Sequence, residues 1–246
     1  MEKNDIILTE DYHTHTFYSD GKSTMEQNVI FAIKAGLKTV GISDHGYGHF
    51  GFGVKYHLYD KMKEEVIRLG EKYPEIKILL GVEANILDDS GNIDVDDYIL
   101  SRVDYVLAGY HFGSEITKGR QLLNHVRNLV KPLNEYEREY NTRALVNAME
   151  KNDIFILTHP GDKGLIDTLQ VAETALKTNT ILEINAHHQN LSVNQINLIK
   201  DMDLKFALGS DAHRYYNVGN VDKAIDAVIE SGLDINKIIN VRKNEN

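Results

Sequence analysis

The chain has 246 residues, of which 42% are hydrophobic and 26% are charged, a composition typical of a globular protein. Its 37 acidic and 27 basic residues give a formal net charge of −10, which disfavours a protein whose main partner is nucleic acid. The chain contains no cysteine, which excludes disulfides, thiolate metal sites and a cysteine nucleophile.

Seven short apolar runs alternate with helical patterns along the chain. Several of these runs are continuous stretches of Val, Ile and Leu, which are typical of parallel strands buried on both faces. We predict strands at residues 6–12, 39–42, 76–82, 105–108, 154–158, 180–184 and 206–208.

Amphipathic helices fit between these strands. The first is predicted to begin at Ser23, which with Glu26 has the spacing of a capping box, and to stop at Gly36. Further helices are predicted at residues 61–69, 133–151, 165–177, 193–200 and 221–229. Seven strand–helix repeats without a linker indicate a single domain over residues 1–246. Its sheet is either closed into a barrel or open and doubly wound, and the hydrophobic pattern alone does not separate the two.

We expect neither a targeting segment nor a membrane span. Residues 1–10 lack a basic region followed by an apolar run, and no apolar stretch reaches the ~20 residues of a spanning helix. The expected location is therefore the cytoplasm, without a membrane partner.

Potential metal ligands stand at the end of nearly every predicted strand. His13 and His15 are two residues apart, so on an extended strand both imidazoles face the same side. The ends of parallel barrel strands open into one mouth, where residues distant in sequence converge. The candidates at strand ends are His13, His15, His45, Glu83, His111, His159, Asp211 and His213.

Any one of these residues alone would more often be structural than functional. A His-x-His pair is commonly a surface feature, and a lone buried Glu83 would commonly serve in an ion pair. Burying so many ionisable groups together is unfavourable unless cations or a hydrated cleft compensate them. The set therefore predicts a metal centre, and its imidazole and carboxylate ligands suit zinc, manganese or iron.

In these motifs the chain resembles the PHP (polymerase and histidinol phosphatase) superfamily of metal-dependent phosphoesterases. The matching segments span residues 13–213, nearly the whole chain, in the order that the family shows. They are His13-Thr14-His15 with Ser19-Asp20-Gly21, Ser43-Asp44-His45, Gly81-Val82-Glu83, Gly109-Tyr110-His111, Thr158-His159-Pro160, Glu183-Ile184-Asn185 and Gly209-Ser210-Asp211-Ala212-His213.

The resemblance implies a distorted, seven-stranded (β/α)7 TIM-like barrel that binds up to three divalent metal ions. It implies catalytic roles for Glu83, Asp211 and His213. At the position of Asp20 relatives use either His or Asp, and the alternative for Asp20 is a turn residue. The implied ligand sets are His13, His15, Glu83 and Asp211 for a first metal, Glu83, His111 and His159 for a second, and Asp20, His45 and His213 for a third.

Two cations that share Glu83 could hold a bridging hydroxide near neutral pH, which would attack the phosphorus of a small-molecule phosphomonoester. Lys163 and Arg214 closely follow predicted ligands in the sequence and are candidate phosphate-binding side chains. Arg120 is more typical of a solvated surface charge. Asp44 could orient a ligand, relay a proton or have a structural role.

Residues 46–53 interleave glycine with aromatic residues beside a predicted ligand. Such a segment could form a mobile lid, a substrate wall or an ordinary surface loop. His49, His57, His187 and His188 are not assigned as ligands, and His125 is expected on a helix face.

Other functions remain open. The protein could be a histidinol-phosphate phosphatase, a 3′–5′ exonuclease-type phosphodiesterase, a non-catalytic metal-binding module or an amidohydrolase. The negative charge and the lack of a polymerase domain disfavour the nuclease, and the intact ligand set disfavours the module. The pattern carries no signal of oligomeric state.

Overall fold

The computed structural model describes residues 2–130 and 135–244. Its strands are β1 Ile6–Leu8, β2 Glu10–Asp11, β3 Thr39–Ile42, β4 Lys77–Asn85, β5 Tyr105–Gly109, β6 Ile156–Leu157, β7 Ile181–Asn185, β8 Phe206–Gly209 and β9 Val241–Lys243. Its α-helices are α1 Met25–Lys34, α2 Tyr59–Lys72, α3 Asp97–Leu100, α4 Gly119–Val130, α5 Glu135–Lys151, α6 Thr168–Thr178, α7 Val193–Ile199 and α8 Asp222–Ser231. Among these described residues, no helix combines the length and apolar character needed to cross a membrane.

Strands β2 to β8 form a parallel sheet in which each strand pairs with the next one in the sequence. In β4 and β5, for example, Gly81 pairs with Tyr105 and Asn85 pairs with Gly109. A consecutive order is typical of a barrel, whereas a doubly wound sheet reverses its order at a switch point. The fold is a distorted (β/α)7 TIM-like barrel, so the barrel prediction is confirmed and the open-sheet alternative is wrong.

The first and last barrel strands meet just beyond their carboxyl ends. Within the described residues, Thr14 and Ala212 form a parallel bridge there. Below the bridge, the buried Asp11 carboxylate accepts hydrogen bonds from the Ser210 hydroxyl at 2.5 Å and the Gly219 amide at 2.9 Å. A side chain thus ties together strand ends that lack a backbone ladder.

Asn240 joins the same two strands nearer their starts. Its fully buried side chain accepts a hydrogen bond from the Leu208 amide at 3.0 Å. The same amide group donates to the carbonyl oxygens of Leu208 and Glu10, both at 2.8 Å. One buried amide therefore replaces part of the missing ladder between β8 and β2.

The predicted strand at residues 6–12 is divided in two. Segment β1 pairs antiparallel with β9, with Ile6 opposite Lys243, while β2 enters the barrel. Between them the Thr9 amide donates to the Asn240 carbonyl oxygen at 2.9 Å, and the chain changes sheets at this point. Strand β9 was not predicted because its three residues include two charged side chains and give no hydrophobic pattern.

Helix α1 is capped one residue later than predicted. The Thr24 hydroxyl accepts from the Gln27 amide at 3.1 Å and is the N-cap, whereas the Ser23 hydroxyl accepts from the Tyr215 amide at 2.6 Å. Helices α2, α5, α6, α7 and α8 correspond to the other predictions, although the predicted start at residue 133 lies outside the described residues. Helix α3 has no counterpart among the predictions, and for α4 they contain only the helix-face position of His125, which lies on this helix.

Tyr105 fills the lower end of the barrel. Its ring lies 5.9 Å from the ring centroids of both Tyr12 and Phe155, and its hydroxyl donates to the Tyr12 carbonyl oxygen at 2.6 Å. Gly41 and Gly81 leave room for it, because a Cβ at either position would overlap the Tyr105 side chain. The open mouth is therefore at the opposite, carboxyl end of the strands.

Candidate metal centre

Nine polar side chains converge at the carboxyl ends of the barrel strands. Seven lie just after a strand end, Glu83 lies within β4, two residues before its end, and Asp20 lies on the loop between β2 and α1. All are buried except Asp20 and His213, which are partly exposed. The structure thus brings together His13, His15, Asp20, His45, Glu83, His111, His159, Asp211 and His213, the full set of ligand candidates from the sequence.

Glu83 lies at the centre of this group. Its Oε1 is 3.0 Å from His159 Nε2 and 3.3 Å from the Nε2 atoms of both His13 and His111. Its Oε2 is 3.0 Å from His45 Nδ1. A buried carboxylate with imidazoles on both of its oxygens has the arrangement that a ligand shared by two cations requires.

Asp20 and Asp211 extend the cluster towards the mouth. Asp20 Oδ1 is 3.3 Å from His213 Nε2 and 3.6 Å from His45 Nε2. Asp211 Oδ1 is 3.4 Å from His15 Nε2 and 3.3 Å from His213 Nδ1. Asp20 therefore directs its carboxylate at the histidines.

Ligand atoms fall into three overlapping groups, each compact enough to hold one ion. They resemble the sets that the family resemblance implies, with three differences. His45 rather than His159 joins Glu83 and His111, His15 also joins the third group, and Asp211 stands outside the first group, with its Oδ1 3.7 Å from His13 Nε2. The groups are His13, His15 and Glu83; His45, Glu83 and His111; and His15, Asp20, His45 and His213.

Neighbouring acceptors fix the tautomers of two histidines. His13 Nδ1 donates to Glu183 Oε1 at 2.7 Å, and His111 Nδ1 donates to Asn85 Oδ1 at 2.9 Å. In the neutral form of each imidazole, the form that binds a cation, Nε2 therefore presents a lone pair to the cluster. Metal-binding histidines in proteins are commonly oriented in this way.

The facing ring nitrogens fit a cation. His13 Nε2 is 3.1 Å from His15 Nε2, and His111 Nε2 is 3.3 Å from His159 Nε2. Two lone pairs at this distance repel each other unless a proton or a cation lies between them. Within the described structure, the buried Glu83 Oε2 also has no hydrogen-bond donor. The residues present thus suit a divalent ion with nitrogen and oxygen ligands.

Charge opposes burial throughout the cluster. Burial acts to lower the pKa of His13, but the carboxylates of Glu183, Glu83 and Asp211 raise it well above its usual value. Burial acts to raise the pKa of Glu83, but His13 and His111 hold it well below its usual range. At His111 burial prevails and lowers the pKa to about 3. The carboxylates therefore stay ionised and attract positive charge.

Two of the nine residues have a left-handed backbone, with φ of +29° at His159 and +51° at Asp211. Such conformations cost about 1–3 kcal/mol for residues other than glycine and cluster at functional sites. The His159 amide donates to Glu183 Oε2 at 2.8 Å, which stabilises the strained turn.

The cationic candidates differ in their surroundings. Lys163 is half-buried and paired with Asp162 on the loop after β6, whereas Arg214 is exposed next to the cluster. Arg120 is held in an ion pair with Glu137 at 2.7 Å on α4 and α5. Arg120 is therefore an exposed charge, as the sequence suggested, and the ion pair gives it a structural contact on α5.

Lys223, a cation without a sequence motif, also lies near the cluster. It lines a cavity of about 210 Å³ together with His187, Asp211 and His213. Sequence reasoning missed Lys223 because it belongs to helix α8, far from any strand-end pattern.

His49 anchors the glycine and aromatic segment at residues 46–53. Its Nε2 donates to the Phe112 carbonyl oxygen at 2.9 Å, and its Nδ1 accepts from the amides of Gly51 and Phe52 at 3.2 and 3.1 Å. The Phe52 ring stacks on His49 with centroids 5.0 Å apart. These bonds favour a fixed wall over a mobile lid.

The remaining histidines occupy different environments. His57 and His187 are exposed, and His125 is buried on α4. His188 approaches the cluster: its Nδ1 is 3.1 Å from Asp162 Oδ1 and its Nε2 is 3.6 Å from Asp211 Oδ2.

Asp44 holds the loop that carries Asp20. Its carboxylate accepts from the Thr16 amide at 2.7 Å, the Thr16 hydroxyl at 2.6 Å and the Ser19 hydroxyl at 2.5 Å. These contacts favour the structural role over the proton relay. Glu183 and Asn85 likewise position histidines. The sequence signal that could have identified them is that each is a polar residue within an otherwise apolar strand.

Known proteins match this chain both as a family and as individual relatives. The PHP domain family model matches residues 11–188. A "Probable phosphatase" of Caldanaerobacter subterraneus subsp. tengcongensis is 32% identical over 245 residues, which cover 96% of this chain and 88% of that protein. A "Probable phosphatase" of Thermoanaerobacter sp. is 32% identical over 243 residues, which cover 95% and 90% of the two chains.

The fold also matches a solved structure. This is the histidinol phosphate phosphatase of Lactococcus lactis subsp. lactis, complexed with zinc, L-histidinol and phosphate. The TM-score is 0.61, with 92% of this chain and 94% of that chain covered and 15% sequence identity.

Proposed function

This chain belongs to the PHP domain family, and on that premise we propose that it is a metal-dependent phosphatase acting on a small-molecule phosphomonoester. The observation that carries the proposal is buried Glu83, whose oxygens have four histidine nitrogens at 3.0 to 3.3 Å. Relatives named as probable phosphatases, similar over nearly the whole chain, support the reaction class. We further propose that the chain forms one catalytic domain.

The proposed site holds up to three divalent cations. Bound there, the cations would act as Lewis acids towards phosphate oxygens. They would also lower the pKa of a bound water molecule, so that hydroxide is available near neutral pH. Zinc suits the nitrogen and oxygen donors, and it is present in the similarly folded phosphatase. The proposed sets are His13, His15, Glu83 and Asp211; Glu83, His111 and His159; and Asp20, His45 and His213.

The chain's own residues supply position and charge. Glu183 fixes the tautomer of His13, so that its Nε2 faces the cations. Asp211 and His213, at the edge of the mouth, complete the proposed catalytic set with Glu83.

Three cations near the mouth are proposed to bind the phosphate oxygens. Lys163, on the loop after β6, would exchange its Asp162 partner for phosphate, while exposed Arg214 and Lys223 would approach from the segment after β8. An arrangement of few cations in an otherwise acidic chain suits one small phosphate group better than a nucleic-acid backbone.

A phosphatase assay, with single-stranded DNA as the phosphodiester for comparison, tests this function. Protein loaded with zinc or manganese should hydrolyse p-nitrophenyl phosphate, lose the activity when a chelator removes the metal, and regain it when metal is restored. Histidinol phosphate is included because the similarly folded enzyme acts on it. Cleavage of single-stranded DNA without any phosphomonoesterase activity would replace the phosphatase by a nuclease. Metal binding without turnover would replace it by a binding module.

A further inference from the structure

Helix α4 turns its polar face inward and its apolar face outward. Its buried residues are Gln121, Asn124, His125 and Asn128. The opposite face carries what we call the apolar stripe, whose side chains are between 43% and 80% exposed. A helix of a globular protein ordinarily buries its apolar face. The apolar stripe consists of Leu122, Leu123, Val126, Leu129 and Val130.

Hydrogen bonds fix this orientation of α4. Asn124 Nδ2 donates to the Tyr110 hydroxyl at 2.8 Å and to Asn141 Oδ1 at 3.0 Å. Asn128 Nδ2 donates to the same Asn141 oxygen at 2.9 Å. Turning the helix to bury the apolar stripe would break these bonds and leave the buried Asn141 Oδ1 and Tyr110 hydroxyl without these donors, which is unfavourable. The stripe is therefore held at the surface by the fold.

The apolar stripe has the spacing of a helix-pairing surface. Residues 122, 126 and 129 are separated by four and three positions, and residues 123, 126 and 130 by three and four. This alternation is the one with which helices pack along a common seam. A second copy presents the same seam, so antiparallel helices about a twofold axis near Val126 would place each end of the stripe on the opposite end of the other.

The charges beside the stripe favour a protein partner over an anionic surface. Arg120 and Arg127 both pair with Glu137, at 2.7 and 2.8 Å, so one of these two positive charges is already balanced within the chain. A net charge of −10 further opposes binding to anionic lipid or nucleic acid. The stripe itself is uncharged, so two copies would bring no like charges into direct contact along it.

We propose that the apolar stripe is the surface through which this chain pairs with a second copy of itself, by antiparallel packing of the two α4 helices. The largest apolar patch on a typical monomer is roughly 300–600 Å² and is often functional. Five large side chains, between 43% and 80% exposed, form a patch of this order, and a stable interface needs roughly 800 Å² per partner. The stripe therefore supplies a substantial part of the area that such an interface requires. This proposal is independent of the proposed phosphatase activity.

Light scattering coupled to size-exclusion chromatography tests the pairing. The wild-type chain should elute with twice its 27.9 kDa mass. The double variant Val126→Glu with Leu129→Glu should elute at the single mass, with association at least about tenfold weaker, because it buries facing carboxylates. The control Leu198→Glu changes a side chain that is 60% exposed on α7 and should leave the mass unchanged. A single mass for the wild type, or a double variant that still pairs, overturns the proposal.

Cross-linking gives a second readout that does not depend on the charged variant. The chain contains no cysteine, so Val126→Cys introduces a single thiol close to the proposed axis. Mild oxidation should convert this variant to a covalent dimer, whereas Leu198→Cys should remain single. Absence of the covalent dimer overturns the antiparallel arrangement. Binding of a monomer to phosphatidylglycerol vesicles, lost in the Val126→Glu, Leu129→Glu variant, would assign the stripe to a membrane instead.

Discussion

At the scale of single residues, the candidate centre depends most on Glu83. Its two oxygens contact imidazoles that arrive from four different strand ends. Removing its charge would leave those imidazoles without a shared counter-ion and would weaken every proposed cation position that it joins.

Glu83→Gln keeps the shape of the side chain and removes this charge. We expect the phosphatase activity to fall by more than the roughly 10- to 100-fold that is typical of outer partners of metal ligands. Bound metal should fall in parallel, as measured by elemental analysis of the purified protein. Glu173→Gln, an exposed change on α6, is the control. A Glu83→Gln enzyme with most of its activity would remove Glu83 from the centre.

Eight of the nine candidate ligands could be predicted from sequence because each is a polar residue at the end of an apolar run, whereas Asp20 was indicated only by the family resemblance. The positioning residues could be predicted only in part. The role of Glu183 depends on His13, which is 170 positions away in the sequence and is reached only when the barrel closes. Lys223 was missed for the same reason, since a lysine on a helix has no local signature.

At the scale of secondary structure, α4 shows what periodicity can and cannot establish. A helical pattern indicates which face is apolar, but not whether that face is covered by the same chain. In α4 the amide side chains find partners on α5 and at Tyr110, just after β5, and these bonds decide which face is buried.

His125, on the buried face of α4, gives a pH dependence. Burial lowers its pKa to about 4, below the roughly 6.5 of an unfolded chain. Between these values the unfolded chain binds more protons, so the free energy of unfolding decreases as the pH falls from about 6.5 to about 4. His125→Phe keeps an aromatic ring beside Tyr110 and removes this titration. Urea unfolding at about pH 7 and pH 4.5 should show a smaller acid loss for the variant, and equal losses would contradict the assignment.

The space around Gly81, on strand β4, can be tested by adding a methyl group. Gly81→Ala places a methyl group against the Tyr105 ring, and we expect a loss of about 1–3 kcal/mol in the free energy of unfolding. The loss should shrink in a Tyr105→Leu background. Gly70→Ala, on α2 with no atom near the added carbon, should instead stabilise the protein by about 0.5–1 kcal/mol. Calorimetric or denaturant unfolding of the wild type and these variants measures the free energies. An unchanged free energy of unfolding in Gly81→Ala would show that the Tyr105 ring moves aside freely.

At the scale of the whole molecule, the alternating pattern predicts seven strand–helix repeats, but it fixes neither the order of the strands nor the closure of the barrel, which only the family resemblance implied. The seam between β8 and β2 is joined by Asp11 and Asn240 rather than by a ladder. Neither residue could be identified from the hydrophobic pattern, since each bonds to a segment near the other end of the chain.

Asn240→Ala should therefore destabilise the barrel as a whole. The change leaves the amide and carbonyl of Leu208 and the carbonyl of Glu10 without these partners, and we expect a loss of at least about 2 kcal/mol. Asn236→Ala, at an exposed position nearby, should stay within about 0.5 kcal/mol of the wild type. Thermal and denaturant unfolding provide the measurement, and a stable Asn240→Ala protein would mean that the backbone closes the seam unaided.

The pairing of β1 with β9 places Ile6 beside Lys243, so the two ends of the described chain lie side by side beneath the barrel. A short peptide could join these ends, and new termini could be opened between exposed Pro74 and Glu75, at the face opposite the histidines. The fold thus admits a circularly permuted gene in which the halves of the barrel are translated in a different order while the metal-facing rim is left intact.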